Sequence, residues 1–424
     1  MSAPARRAIE VWADWQGLGG PQRVGVLHAA PSRGREILSF EYEARWLETP
    51  SALALDPQLQ LFAGPQYAAD DRRPNFGVFL DSSPDRWGRM LIKRREERAA
   101  RKAGRQERPL LESDYLLGVY DLHRVGALRF KRDPRGPFLD ATDGYTAPPW
   151  TSIRELEHAS LQLERHGIAD DDEERWLRML IAPGGSLGGT RPKASVLDEH
   201  SHLWIAKFPS GLDAHDVGAW EMVVHDLASR AGVAVPPAQV RRFNSAFATF
   251  LTRRFDRAEQ GQRLHYASAM TLLGRVDGDD AATGASYLEI VDLLIRAGAQ
   301  TDSDLEQLWR RIVFNMCVSN TDDHLRNHGF LLQPGKGWAL APAFDINPVA
   351  DGDGLRLNVS EADNAQDLSL AHSVAHWFRV KPRRAGAIVA EVVGAVRGWR
   401  DVAQQYAIER SEQDAMARAF HLGA

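Results

Sequence analysis

Residues 320–330 read NTDDHLRNHGF, and LAPAFDINP follows at 340–348. Asp322 and Asn327 stand five positions apart, and Asp345 lies eighteen beyond Asn327 behind an apolar run. Phosphoryl transfer needs such a set: a carboxylate to orient and deprotonate the attacking hydroxyl, then an amide oxygen and a second carboxylate to hold magnesium against phosphates. Two other chemistries fit the same letters. Asp323, His324 and His328 could cage a metal, since HLRNH sets two imidazoles four apart, on one face of a helix. No Glu sits inside that pair, however, and Gly329 follows at once, which predicts a loop in which His324 braces the backbone and His328 lies at the surface or behind the site. The third is a plain polar loop, whose Asp and Asn side chains bond to nearby backbone.

A second constellation is APGGSLGGTRPKASV, residues 182–196. Glycines at 184, 185, 188 and 189 free backbone amides to converge on an anion around Ser186. The loop departs from the Walker A pattern, because Thr190 and Arg191 follow Gly189, and from the glycine spacing of protein kinases. Two short strands are predicted next, PKASVLD and HLWIAKF, and the second carries Lys207 among apolar neighbours. A lysine there needs a partner for its ammonium, such as ATP phosphates or Glu221 in the following helix. The Asp322 to Asn327 spacing also matches the catalytic loop of protein kinases, whose metal-binding Asp comes later in the chain.

Positioning these groups requires a large, ordered chain. Its 424 residues suggest two to three units, each able to bury a core. A net charge of −5 with interspersed signs gives no global basic field for nucleic acid or an anionic membrane. Cys317 is the only cysteine, which excludes an internal disulfide framework and multi-cysteine zinc sites. No signal-peptide run and no stretch of about 18 apolar residues is present, so a soluble cytoplasmic protein is expected. Period-two alternation in IEVWADW, QRVGVLHAA and EILSFEYEARWL predicts a small N-terminal sheet. A basic helix follows from Asp85; its run at 93–108 is either a solvated face or a contact for an acidic partner or DNA. Trp12, Trp15, Trp46 and Trp87 mark either core or a partner surface. The Pro- and Gly-rich segment 131–150 reads as a linker. In the later, mainly helical part, TDSDLEQLWRRIVFNMCV shows an apolar stripe at helical spacing, with Thr301 and Asp304 in a capping-box pattern.

The combined order of Gly-rich loop, strand Lys, helix Glu and Asp, Asn, Asp resembles the HipA family of bacterial toxin kinases. The similar motifs are GGSLGGTRPK, WIAKFP, LTRRFDR, NTDDHLRNHGF and LAPAFDI, with FGVFLDSSPDRWGRMLI near the N-terminus. The resemblance implies an α+β, bilobal protein-kinase-like fold: a β-rich subdomain over residues 1–135 and a kinase core over 151–424, with a nucleotide lobe at about 180–260 and a helical lobe at about 261–424. It further implies an ATP- and Mg2+-dependent serine/threonine kinase, the toxin of a toxin-antitoxin pair. Asp322 would be the base and Asn327 and Asp345 the magnesium ligands. Lys207, Gly185, Ser186, Gly188, Gly189, Lys193 and Glu221 would form the nucleotide site, with Ser186 an autophosphorylation site. The implied partners are a separately encoded helix-turn-helix antitoxin, DNA only through that antitoxin, and a protein substrate, with aminoacyl-tRNA synthetases among the family's targets. The chain departs from the family at the adenine hinge, where YASAMTLLG stands at 266–274. Two alternatives share these residues: a small-molecule phosphotransferase and a catalytically idle co-repressor.

Overall fold

The N-terminal alternation folds into the antiparallel sheet that its period predicts. The computed structural model describes residues 6–32, 34–68, 72–139, 148–164, 170–181 and 191–423. They divide into two compact units, Met1–Gly211 with Asp256–Ala267, and Leu212–Phe255 with Ser268–Ala424. In the first, β1 (Arg7–Ala13), β2 (Gln22–Ser32), β3 (Arg35–Tyr42), β4 (Gln66–Tyr67) and β5 (Leu128–Lys131) form one sheet in the order β4-β3-β2-β1-β5. Ile9, Val11 and Ala13 on β1 and Leu38, Phe40 and Tyr42 on β3 turn to the core, every second residue, as a half-buried sheet requires. Trp15, Trp46 and Trp87 are also core, which settles three of the four tryptophans as packing residues.

Helices α1 (Ala44–Leu47), α2 (Gly77–Asp81), α3 (Arg86–Lys102), α4 (Glu112–Leu117), α5 (Ile153–Glu164) and α6 (Asp170–Ile181) complete this unit with the hairpin of β6 (Lys193–Leu197) and β7 (Leu203–Lys207). Asp85 caps α3 by accepting from the Gly88 amide at 2.9 Å. The basic run meets acids of its own unit: Arg98 lies 3.0 Å from Glu174, Arg101 3.1 Å from Glu173, and Arg108 2.9 Å from Asp114. Of the two expectations for this run, the structure therefore favours the solvated face, with Arg98, Arg101 and Arg108 met by acids of their own unit.

The second unit contains α7 (Val217–Arg230), the hairpin of β8 (Ala238–Arg241) and β9 (Thr249–Arg253), α8 (Ala269–Leu272), α9 (Tyr287–Ala297) and α10 (Thr301–Cys317). The strand β10 (Tyr266–Ser268) precedes α8, and the hairpin of β11 (Gly329–Gln333) and β12 (Gly337–Leu340) follows α10. Gly218 admits close contact between α7 and the β9 approach, because a Cβ there would collide with the Ala248 carbonyl. The expected capping box on α10 is not formed. Gln300 holds the cap position without a side-chain cap, Thr301 donates its hydroxyl to the Leu294 carbonyl, and Asp304 accepts from Gln300 Nε2 and the Leu340 amide, both at 2.9 Å. Tertiary partners have displaced the local motif. Among the described residues, no helix is long and apolar enough to cross a membrane.

Candidate active site

α10 is buried almost all round, so its buried polar residues Asp304, Arg310, Arg311 and Asn315 must find partners inside the protein. Arg311 donates to the Ala341 carbonyl, and Asn315 Nδ2 donates to Asp323 Oδ2 at 2.8 Å. Burial brings the Arg311 guanidinium down to about 10, with Asp323 and Asp304 opposing that fall. The helix ends at Cys317, and Ser319 turns the chain with φ +47°. From there residues 319–328 run without regular structure except a short 3-10 turn at Leu325–Asn327, which confirms a loop in place of a helical two-histidine site.

Asp323 holds this loop in place. Its Oδ2 accepts from the Tyr287 hydroxyl at 2.7 Å, from Asn315 and from His328 Nε2 at 2.8 Å. Burial alone would raise its carboxyl, yet the His328 charge and the hydrogen bonds from His328 and Tyr287 outweigh it and hold the group below the ordinary carboxylate range. The same burial, with the Asp323 charge, lifts the Tyr287 phenol well above its usual value, so it remains a donor. The bracing histidine is thus His328, 2% exposed, and not His324, whose Nδ1 is buried without a hydrogen-bond partner among the described residues. Asp323 and His328 are spent on each other, and no cluster of three His, Cys, Asp or Glu able to hold a metal occurs among the described residues.

Asp322 and Asn327 flank this braced carboxylate. Asp322 is exposed, one residue from the buried Asp323. Asn327 is buried, its Nδ2 donates to the Asp322 carbonyl at 3.4 Å, and its Oδ1 has no donor among the described residues. A buried amide oxygen without a donor costs free energy unless something else, such as a hard cation, takes its lone pairs. The chain just after Asp345 is stitched to the start of the loop: the Asn347 amide donates to Asn320 Oδ1 at 3.3 Å and the Val349 amide to the Ser319 carbonyl at 3.1 Å. Asp345 itself has φ +57°, a left-handed conformation that a non-glycine residue adopts at a cost. Asn347 Oδ1 is a second buried oxygen without a donor. A carboxylate and amide oxygens are the donor types that a magnesium ion takes.

In the first unit, the β6–β7 register sets Lys193 opposite Lys207, on one face of the hairpin. Lys193 is buried, and its ammonium lies 2.8 Å from Asp85, while its carbonyl accepts from Trp87 Nε1 at 3.2 Å. That lysine is anchored to the start of α3. Lys207 is half-buried at the end of β7. Glu221 is buried on α7 of the second unit, which also holds Asp322, Asn327 and Asp345. Gly185, Ser186, Gly188 and Gly189 lie outside the described residues.

Asp323, Tyr287, Asn315 and Arg311 had not been singled out as a positioning set. Their signal was present in α10, as an arginine and an asparagine four apart on a helix buried almost all round.

Two curated relatives are similar to parts of the chain. A Haemophilus influenzae protein named "Putative kinase" is 25% identical over 185 residues, 39% of this chain and 53% of the relative. A Sinorhizobium fredii protein named "Putative kinase Y4mE" is 27% identical over 148 residues, 34% of this chain and 33% of the relative. The chain thus spans about half and about a third of these relatives. Among solved structures, HipA of Shewanella oneidensis MR-1, determined in a complex with HipB and its operator DNA, aligns with TM-score 0.65 at 16% identity, covering 98% of this chain and 95% of that one. The fold is accordingly of the HipA type, with mixed helix and sheet. The family model described as the HipA-like C-terminal domain matches residues 185–399, about half of the sequence, and the chain belongs to that family.

Proposed function

We propose that the chain is an ATP- and Mg2+-dependent serine/threonine protein kinase acting as the growth-arresting toxin of a toxin-antitoxin pair. The observation that carries this reading is the division of labour in the loop: Asp323 is fully engaged, while the Asp322 carboxylate is exposed and Asn327 Oδ1 lacks a donor among the described residues. Asp322 would orient the attacking hydroxyl and take its proton, with its backbone fixed by Asn327 Nδ2. Asn327 Oδ1 and Asp345 would hold magnesium, which when bound neutralises charge on the phosphate oxygens. Lys207 would meet the nucleotide phosphates, with Glu221 as its expected ion-pair partner. Gly185, Ser186, Gly188 and Gly189 would cradle the same phosphates, and Lys193, held by Asp85, would fix the end of that loop.

Phosphorylation of Ser186 would add about two negative charges to the cradle and repel ATP, an off-switch. The HipA structure that the fold resembles was solved with HipB and operator DNA, which supports a separate helix-turn-helix antitoxin as partner and DNA contact through it. The substrate would be a protein, with an aminoacyl-tRNA synthetase as the first to try.

Mass spectrometry of the chain after incubation with ATP and magnesium, beside Asp322→Ala treated identically, tests this. A phosphate gained by the parent alone, on Ser186, is the expected result. Equal phosphate on both proteins would remove Asp322 from its role. Phosphate on neither would leave transfer to another protein or to a small molecule as the remaining kinase chemistry.

A further inference from the structure

A cavity of about 660 Å³ opens in the first unit, between β1, α3 and α4. Its volume is that of a small-molecule site. Ile9, Ile92, Leu110 and Leu117 give it an apolar wall, and four arginines, Arg7, Arg95, Arg108 and Arg132, stand around it against two carboxylates, Glu96 and Asp114. Both carboxylates are already engaged. Asp114 meets Arg7 at 2.7 Å and Arg108 at 2.9 Å, and Glu96 meets Arg105 at 2.7 Å and Arg108 at 3.6 Å. Among the described residues no carboxylate pairs with Arg95 or Arg132, so the excess positive charge of the cavity rests on these two. Gly118 is part of the lining, and its backbone is ordinary, φ −82°. A Cβ there would stand 2.8 Å from Ile92 Cδ1 and 3.1 Å from the Asp114 carbonyl, so it would shift the Ile92 tip in the apolar wall, while Arg95 at 3.5 Å would be in ordinary contact.

We propose that this cavity binds a small organic anion, with a phosphate or carboxylate head met by Arg95 and Arg132 and an apolar body laid against Ile9, Ile92, Leu110 and Leu117. Guanidinium groups form paired hydrogen bonds to either head group, and the apolar wall supplies the binding that a bare ion could not use. The site is independent of the proposed nucleotide site, since none of its lining residues belongs to that set.

Isothermal titration of the full chain with 1-naphthyl phosphate, 1-naphthoate and inorganic phosphate separates the contributions. At least one naphthyl probe should bind with Kd of about 1 mM or tighter, and the better of the two identifies the head group. Inorganic phosphate should bind roughly tenfold more weakly than the better probe, as the wall is unused. Arg95→Ala/Arg132→Ala, both exposed positions, should weaken the naphthyl probe roughly tenfold, and Gly118→Ala should weaken it with all four arginines in place. Lys207→Met should leave it unchanged. Equal affinity in the parent and the double-arginine variant, loss of binding in Lys207→Met, or no binding of either naphthyl probe would each overturn the proposal.

Discussion

Along residues 93–108 charge is distributed over α3 and the segment after it, and Arg98, Arg101, Arg105 and Arg108 are each met in place by Glu96, Asp114, Glu173 or Glu174. Along residues 320–328 charge is concentrated and deliberately unequal. Asp323 takes three buried donors while its neighbour Asp322 faces solvent, and Asn327 keeps an oxygen without a donor among the described residues. The first arrangement can tolerate the loss of any one pair, because water replaces it. The second cannot lose its centre, because Tyr287, Asn315 and His328 are buried around it. A charged segment points to chemistry when some of its groups are fixed by the fold so that others can stay unused.

Asp323→Ala offers the sharpest break in that comparison. Removing the carboxylate leaves the Asn315, His328 and Tyr287 donors without their buried partner, and the expected loss is about 3–5 kcal/mol of unfolding free energy. Asp322→Ala, one residue earlier but exposed, should fall within about 0.5 kcal/mol of the parent. Urea unfolding of the two variants side by side measures both. Equal stability losses would mean that the two acids are not divided into a holding and a reacting group.

Acid sharpens the same contrast. The Asp323 carboxyl titrates lower in the folded chain than in the unfolded one, so its contribution is present at neutral pH and is lost as pH falls below the ordinary carboxylate range toward its depressed folded value. Asp323→Asn should therefore start less stable at neutral pH and change less across that acid window. His265, brought down to about 3 by burial, also costs stability as pH falls below 6.5, since the unfolded chain takes up the proton first. It does so in both proteins, and the difference between their stability curves isolates Asp323. Parallel curves would assign the acid sensitivity elsewhere.

The sheet, the helices and the order Asp322, Asn327, Asp345 were legible because each depends on spacing along the chain. β1 and β3 bury every second residue, and α10 follows its apolar stripe from Leu305 to Met316. What spacing does not carry is which of two adjacent acids turns inward. That choice is made by Tyr287, thirty-six positions before Asp323, and by Asn315, eight before it. The capping box at Thr301 and Asp304 failed for the same reason: the Leu340 amide, far along the chain, takes the carboxylate that a local motif would have used. Lys193 was legible as a lysine beside a Gly-rich loop but not as the buried partner of Asp85, 108 positions earlier.

The smallest expected effect lies on the basic helix and completes the comparison from the other side. Glu174 faces Arg98 at 3.0 Å and Lys102 at 3.8 Å, with its own side chain 37% exposed. Glu174 is partly hydrated and Arg98 keeps Glu173 at 3.8 Å, so Glu174→Ala should cost less than about 1 kcal/mol at low ionic strength. In about 1 M salt, where charges are screened within roughly 3 Å, the difference from the parent should vanish. The Asp323→Ala loss should persist under the same salt, because its partners are out of reach of solvent ions. If salt removed both differences alike, the loop would be held by surface electrostatics, and the buried centre around Asp323 would lose its special standing.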